Sequence, residues 1–299
     1  MFRLAHISDI HLGPLPPVAR RDLMSKRITG YVNWRRNRAH HYRRELTDGL
    51  IADLAARKPD HIAVTGDLVN LGLAEEFEMA RRWLESLGPP DRVSVICGNH
   101  DAYVPGAFEA ALATWQSWAS DDTGRTIAGD DDYPVLRRRD GVSLIGCNSA
   151  CPTPPFFATG RFSARQAEAL AEILAEEGRQ GRCRVVLIHH PPFRGATAFH
   201  KRLIGARRFR GVVARYGAEL VLHGHTHLDT VRAIPGPNGT VPVVGVPAAG
   251  EAPGGHRPAA RYNMFNIAQG PKGWSIAMQE YGVTDETGAI GLIAKRQLA

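Results

Sequence analysis

Five short polar clusters constrain this chain more than any other feature, because each follows an apolar run that is typical of a buried strand. The clusters are Asp9-x-His11, Gly66-Asp67, Gly98-Asn99-His100-Asp101, His189-His190-Pro191-Pro192 and Gly224-His225-Thr226-His227. Loops after strand ends are where layered α/β proteins build their sites. The clusters therefore predict a functional site in an α/β fold.

Strand-like and helix-like segments alternate along the chain, and a strand-rich part follows them. This order predicts an α/β protein in which one sheet packs on another. We expect one domain over residues 1–299, with an insertion at about 15–45 and a strand-rich C-terminal part at about 228–299. The predicted strands are Arg3–Ser8, His61–Thr65, Val93–Cys97, Ser143–Cys147, Arg184–Ile188, Glu219–Leu222, Val241–Val246, Tyr262–Ile267 and Trp274–Gln279. The predicted helices are Glu45–Arg57, Ala74–Leu87 and Ala164–Glu177.

Chance does not explain the clusters. With 31 Gly and 13 His in 299 residues, about 0.06 matches to Gly-His-x-His are expected at random. The second rare pattern, Gly-Asn-His-Asp, occurs in the same chain and also follows an apolar strand. Neither a Gly-x-Ser-x-Gly elbow nor a Walker loop is found, so serine hydrolase and P-loop chemistry are excluded.

The side chains in the clusters are those of a metal site. Carboxylates, imidazoles and one amide suit Mn²⁺, Fe or Zn²⁺, and the lack of thiolates argues against a structural zinc site. The candidate ligands are too many for one four-coordinate ion, whereas two cations that share a carboxylate would use them all. These candidates are Asp9, His11, Asp67, Asn99, His189, His225 and His227.

The order DxH, GD, GNHD, H, GHxH resembles that of the calcineurin-like metallophosphoesterase superfamily, from Asp9 to His227. The resemblance implies a four-layer α/β/β/α sandwich of two mixed sheets with a binuclear centre between them. Asp67 would bridge two divalent ions, Mn²⁺ being expected and Fe or Zn²⁺ left open. A hydroxide between the ions would attack phosphorus, while His100 protonates the leaving oxygen or stabilises its charge, and Asp101 orients His100.

The implied division of ligands gives one ion Asp9, His11, Asp67 and His227. The other ion takes Asp67, Asn99, His189 and His225. In the pair His189-His190, His189 is the expected ligand, because the family ligand precedes the proline by two residues.

Basic residues concentrate in the insertion. Residues 15–45 carry nine basic and two acidic side chains, an excess that equals the net charge of +7 of the whole chain. Apolar residues recur at helical spacing within the basic segment, at Leu23, Met24, Ile28, Tyr31 and Val32. A basic amphipathic helix with Trp and Tyr is typical of an anionic membrane interface. A second basic stretch, without acidic residues, runs from Arg194 to Arg215. The candidate substrate-binding residues are Arg35, Arg36, His190, Arg194, Lys201 and Arg202.

These features favour a metal-dependent phosphodiesterase that acts on phospholipid-type diesters. A lipid pyrophosphate or a cyclic nucleotide is the alternative substrate, the latter because His-His-Pro-Pro and Gly-His-Thr-His resemble class III cyclic nucleotide phosphodiesterases. A nuclease or a non-catalytic, metal-stabilised binding protein is less favoured. The expected partners are an anionic phosphoester and an anionic membrane surface; nucleic acid is not expected, and a homodimer is left open.

The expected location is the cytoplasm, with peripheral contact at the inner face of the membrane. No apolar run reaches the length that spans a bilayer, and the N-terminal residues lack the pattern of a signal peptide. The cysteines show no CxxC spacing, which favours reduced thiols.

Overall fold

The computed structural model of the chain describes residues 1–271 and 273–299. Its strands are β1 (Phe2–Ile7), β2 (His61–Val64), β3 (Val93–Val95), β4 (Val135–Arg139), β5 (Val142–Gly146), β6 (Gly160–Arg161), β7 (Cys183–Leu187), β8 (Leu203–Ile204), β9 (Leu220–His223), β10 (Thr230–Gly236), β11 (Gly239–Gly245), β12 (Arg261–Gly270), β13 (Gly273–Val283) and β14 (Ile290–Gln297). Its helices are α1 (Arg27–Asn33), α2 (Ala39–His41), α3 (Arg44–Ala56), α4 (Ala74–Leu87), α5 (Ala107–Ala119), α6 (Ala164–Arg179) and α7 (Ala206–Tyr216). A π-helical turn, Trp34–Arg38, joins α1 to α2.

Within the described residues, the longer strands form two six-stranded mixed sheets. The first has the order β14-β13-β12-β1-β2-β3, and the second the order β10-β11-β9-β7-β5-β4. Strands β1, β2 and β3 are parallel to one another, as are β5, β7 and β9. The polar clusters follow five of these parallel strands. The clusters therefore come together at the carboxyl ends of the parallel strands of both sheets.

Side-chain alternation in the second sheet explains the layers, because successive residues of a strand point to opposite faces. Leu187 and Leu222 pack into the core shared with the first sheet. Their neighbours Val186 and Val221 pack instead with Phe209 of α7 and with α6. Helix α3 covers the first sheet at β12, β13 and β14, and α5 contacts β3. The predicted four-layer α/β/β/α sandwich is confirmed.

The insertion has the predicted helical character but a later start. The pattern predicts a helix from Leu23, whereas α1 begins at Arg27. The hydroxyl of Ser25 accepts the N–H of Arg27 at 3.2 Å and donates to Asp22 O at 2.9 Å, and such local bonds compete with helical ones.

One stripe of the insertion faces the body of the protein. Gly30 is buried, and a Cβ there would lie 2.7 Å from Leu71 Cδ2 and against Tyr103. Trp34 and Arg38 follow at intervals of four residues on the same side. Met24, Ile28 and Val32 are exposed on the other side.

Among the helices of the described residues, none combines the length and the hydropathy that a bilayer crossing requires.

Candidate metal centre

The loops that carry the candidate ligands hold an unusual backbone. Five candidate ligands have φ between 45° and 68°, in the left-handed region that residues other than glycine rarely adopt. They are Asp9, His11, Asp67, His225 and His227. Each such residue costs about 1–3 kcal/mol, and strain of this kind collects at functional sites. Backbone bonds between loops hold the conformation: Asp9 N donates to Gly66 O at 2.9 Å, and His11 N donates to Asp67 O at 3.0 Å.

Three candidate imidazoles converge on two candidate carboxylates. His227 Nε2 lies 3.1 Å from Asp9 Oδ1, and His189 Nε2 lies 3.4 Å from Asp67 Oδ2. His11 Nε2 lies 3.8 Å from the same Asp67 oxygen. The ligand atoms of Asp9, His11 and His227 lie close enough together to bind one cation. The same holds for those of Asp9, Asp67 and His189. Asp9 therefore lies between the groups, while Asp67 also joins His11 and His100.

Asn99 and His225 lie beside these groups but contact each other. The ring nitrogens of His225 lie 2.8 Å from Asn99 Oδ1 and 2.9 Å from the Lys201 carbonyl oxygen. In this arrangement neither nitrogen is directed at Asp67. Their place in the implied ligand set stays a prediction.

The buried imidazoles fit a divalent cation. Within the described part of the chain, Nε2 of His11 and Nε2 of His189 are buried without a hydrogen-bond partner, which costs about 1–3 kcal/mol each. Their Nδ1 atoms lie 3.0 Å from Val69 O and 2.6 Å from Thr65 O, so backbone carbonyls fix both rings with Nε2 toward Asp67. A backbone carbonyl on the outer nitrogen is the usual support of a metal-binding histidine.

The charges of this cluster support one another. Burial opposes ionisation of Asp67, but His189 and His100 hold the pKa of its carboxyl well below the usual value. Burial likewise opposes a charged His189, yet the Asp67 carboxylate raises the pKa of this imidazole to about 9. Two buried carboxylates thus attract positive charge, which a divalent cation would also provide.

His100 contacts a cation that the sequence patterns did not single out. Arg38 Nη2 lies 3.0 Å from His100 Nε2, and His100 Nδ1 lies 2.6 Å from Asn70 O. A carbonyl only accepts and a guanidinium only donates, so Nδ1 carries the proton and Nε2 accepts. Burial and the Arg38 charge lower the pKa of His100 to about 3. In this arrangement His100 Nε2 carries no proton, and Arg38 is the hydrogen-bond donor of the pair.

The hydrogen bonds of the Asp101 carboxylate go to backbone N–H groups of two loops, while its predicted role in orienting His100 stays a prediction. Its Oδ2 accepts the N–H groups of Asp67 at 2.8 Å and Gly98 at 2.7 Å, and its Oδ1 accepts those of Leu68 at 2.9 Å and Val69 at 3.2 Å. The carboxylate is fully buried between the two loops. Its observed contacts hold the Asp67 loop against the Gly98 loop.

The predicted substrate-binding residues divide into two sets. His190 is buried, with Nδ1 2.8 Å from Ser149 Oγ and its ring centroid 4.3 Å from that of His225. Lys201 contacts His225 through its carbonyl, and the next residue, Arg202, stacks on Phe199.

The second set lies away from the cluster. Arg35, Arg36 and Arg194 are exposed, and within the residues described none of them makes a hydrogen bond or ion pair to a candidate ligand. The physical reason in the insertion is the helical phase, since Arg38 is on the inward stripe and Arg35 and Arg36 are not.

Two further residues support His227 from outside. Tyr42 Oη lies 3.0 Å and Arg257 Nη1 lies 2.7 Å from His227 Nδ1. Tyr42 lies near the end of the insertion. The insertion docks on the loop after β11, where Arg43 N donates to Gly250 O at 3.1 Å. No local pattern in the sequence pointed to Tyr42 or to Arg257 as partners of His227.

Comparison with known proteins identifies relatives of the whole arrangement. The family model described as calcineurin-like phosphoesterase matches residues 2–229. A probable cyclic nucleotide phosphodiesterase of Synechococcus is 27% identical over 230 residues, which are 75% of this chain and 72% of that protein. A crystal structure of a dimetal phosphatase from Danio rerio has a TM-score of 0.67 at 13% identity and covers 99% of this chain and 98% of that one. A purple acid phosphatase from yellow lupin has a TM-score of 0.61 at 12% identity, with 99% of this chain and 53% of that chain covered.

Proposed function

Because the chain belongs to the calcineurin-like phosphoesterase family and is a metal-dependent phosphoester hydrolase, we propose that it is a phosphodiesterase for phospholipid-type diesters at an anionic membrane surface. The observation that carries this proposal is a set of exposed apolar side chains beside the metal centre. We call it the entrance rim, and it consists of Met24, Ile28, Phe156, Phe157 and Phe199.

The rim combines three segments that are distant in sequence. Lys26 Nζ donates to Phe157 O at 2.9 Å, which ties α1 to the loop after β5. Ala158 N donates to His200 O at 2.8 Å, which ties that loop to the segment of Phe199. Met24 is 83% exposed, Phe156 80% and Phe199 66%. Exposed apolar side chains gathered in this way mark an interaction surface.

Residues next to the rim in sequence contact histidines beside the metal centre. Ala158 O lies 3.2 Å from His190 Nε2, and Lys201 O lies 2.9 Å from His225 Nε2. Basic side chains accompany the apolar ones: Lys26 contacts Phe157 O, and Arg202 stacks on the ring of Phe199. Apolar groups that enter the interface and cations that meet anionic head groups are the combination that membrane-surface proteins use.

We further propose that Asp9, His11, Asp67, His189 and His227, with Asn99 and His225, hold two divalent ions. Mn²⁺ is the proposed ion, with Fe and Zn²⁺ as the alternatives for this donor set. When bound, such ions neutralise phosphoryl oxygens and lower the pKa of a water molecule.

Arg38 and His100 act on the other side of the phosphate. The guanidinium donates to an oxygen of the substrate and offsets the charge that grows on the leaving oxygen. The imidazole fixes the guanidinium through its acceptor Nε2. Asp101 keeps the Asp67 loop in place through its four backbone contacts.

A cyclic nucleotide phosphodiesterase is the second candidate, favoured by the similarity to the Synechococcus protein. That reaction would use the same centre but would not need an apolar surface.

The test is Mn²⁺-dependent release of phosphorylated head group from phospholipid mixed micelles, with cyclic AMP and bis(4-nitrophenyl) phosphate assayed in parallel. Turnover of the lipid by wild type, but not by Asp67→Ala, supports the proposal. Turnover of cyclic AMP and the aryl diester without lipid turnover would replace it with the second candidate.

A further inference from the structure

A cavity of about 640 Å³ extends from the metal centre beneath the insertion. His11 and Arg38 line one end of it, and Arg38 also contacts His100. On α4 the lining residues are Met79, Arg82, Trp83 and Ser86. Their spacing of three, four and seven residues places them on one face of the helix, along about 10 Å at 1.5 Å per residue. The cavity is therefore elongated and leads away from the site of chemistry.

Part of the cavity lining is apolar, and the charged residues Arg38, Arg43, Arg44, Glu45, Asp48 and Arg82 line much of the rest. Ile10 and Leu12 come from the loop after β1, Trp34 from the π-helical turn, and Met79 and Trp83 from α4. Trp83 is 9% exposed, whereas Arg43, Arg44 and Arg82 are exposed. A volume of this size is within the range of ligand-binding cavities, which are mostly apolar with a few polar groups.

Two attachments to the body of the protein hold the insertion above the cavity. At Gly30, which is buried, the insertion packs against the side chains of Leu71 and Tyr103, with no room for a Cβ. At its other end it is fixed to the loop of Gly250 through Arg43. Trp34 and Arg38 lie between these two attachments, so the cavity roof is a span held at both ends.

We propose that this cavity binds one alkyl chain of the substrate, with the phosphate held at the Arg38 end. The inference rests on the proposed function, because the cavity would bind the apolar part of a phospholipid-type diester. A chain suits the elongated shape along α4, and burial of its methylenes provides the binding energy. The entrance rim would then meet the membrane while the cavity takes the chain of the molecule being cleaved.

The test uses single-chain alkyl phosphates, from ethyl through butyl, hexyl and octyl to decyl, as inhibitors of bis(4-nitrophenyl) phosphate hydrolysis. Concentrations are kept below those at which the phosphates form micelles. In wild type we expect the inhibition constant to fall with chain length, by up to about fourfold per buried methylene.

Two variants locate the chain. Met79→Trp adds a large ring to the lining on α4 and should abolish the dependence on chain length, while Met79→Leu, which conserves volume, should keep it. Ser86→Phe lies on an exposed position at the far end, so it should fold normally and remove only the gain from the longest chains. The quenching of Trp34 and Trp83 fluorescence by a bromine-tipped decyl phosphate provides a readout that is independent of turnover.

The outcomes separate this inference from the proposed function. A steep series that Met79→Trp flattens supports the cavity as a chain site even if lipid micelles are not hydrolysed. A flat series in wild type, or an equally steep one in Met79→Trp, overturns the chain site even if lipid micelles are hydrolysed. Weaker inhibition of Met79→Trp by AMP, with an unchanged alkyl series, would also overturn it and assign the cavity to a nucleoside.

Discussion

Arg38 and His100 form a hydrogen-bonded pair beside the candidate metal ligands. The Asn70 carbonyl fixes the proton of His100 on Nδ1, and Nε2 is left to accept from the guanidinium. A histidine at this position would otherwise be assigned as the general acid. Here the fixed positive charge belongs to arginine, which does not lose its proton in the range where enzymes work.

Replacement of Arg38 tests this assignment. We expect Arg38→Ala to lower kcat/KM for bis(4-nitrophenyl) phosphate by about 10- to 100-fold, since a hydrogen bond to a charged group contributes about 1.5–3 kcal/mol. Steady-state kinetics at saturating Mn²⁺ give the comparison. Arg35→Ala, on the exposed side of the same segment, is the matched control and should keep wild-type activity. Equal losses in the two variants would contradict the role of Arg38.

Asp101 is predicted to act on stability rather than on chemistry. In Asp101→Asn an amide NH₂ would face two backbone donors, so we expect a loss of about 2–4 kcal/mol in the free energy of unfolding. Urea unfolding at constant m-value measures it. Asp48→Asn is the control, because Asp48 forms only an exposed pair with Arg44. Unchanged stability with lost activity would return Asp101 to the catalytic group.

At the scale of elements, the insertion is the feature that most distinguishes this site. Its inward stripe of Gly30, Trp34, Arg38 and Tyr42 continues through a π-helical turn, and such turns are frequent at functional sites. The wider turn changes the helical phase, so a 3.6-residue pattern extended from Leu23 cannot tell which arginine faces inward.

Apolar periodicity and strand-end motifs are local signals, and they were sufficient to predict one sheet packed on another and the meeting of the ligand loops. The four-layer order was implied by the family resemblance. Helices α3, α4 and α6 begin within one residue of the predicted positions. Helices α5 and α7 were not predicted. The contacts of Arg38 and Arg257 depend on how distant loops dock, and no local pattern encodes this.

Gly30 tests whether docking of the insertion places Arg38. In Gly30→Ala the new methyl would overlap the side chains of Leu71 and Tyr103, and we expect the insertion to move outward to relieve the overlap. We expect a fall in kcat/KM similar to that of Arg38→Ala, with a loss of about 1–3 kcal/mol in stability from overpacking. Gly13→Ala, where a Cβ would meet nothing within 4 Å, is the control. Full activity in Gly30→Ala would show that Arg38 reaches the site without this contact.

For the whole molecule, the candidate metal centre is a strained cluster of buried polar groups between the two sheets. Buried carboxylates, unpartnered imidazoles and left-handed backbone all disfavour the folded state without a cation. Ligands that bind only the folded state stabilise it by mass action.

Removal of metal should therefore lower the melting temperature. At Mn²⁺ about 100-fold above its dissociation constant, the gain is about 2.7 kcal/mol for one site, or about 5–10 °C for a chain of this size. Thermal unfolding in EDTA and in added Mn²⁺ measures the difference. Asp67→Ala should show a much smaller difference, and an equal shift in that variant would mean that the ions bind elsewhere.

The proposal that this centre works at a lipid surface is tested most directly by one ratio. Head-group release from anionic phospholipid vesicles is divided by hydrolysis of bis(4-nitrophenyl) phosphate in the same preparation. We expect the double variant Phe156→Ser with Phe199→Ser to lower the ratio at least about tenfold, because each exposed Phe contributes about 1.5–3 kcal/mol when buried. Leu292→Ser, which removes an exposed side chain from the outer strand β14, should leave the ratio unchanged. An unchanged ratio in the rim variant, or no vesicle hydrolysis by an active wild type, would contradict the account.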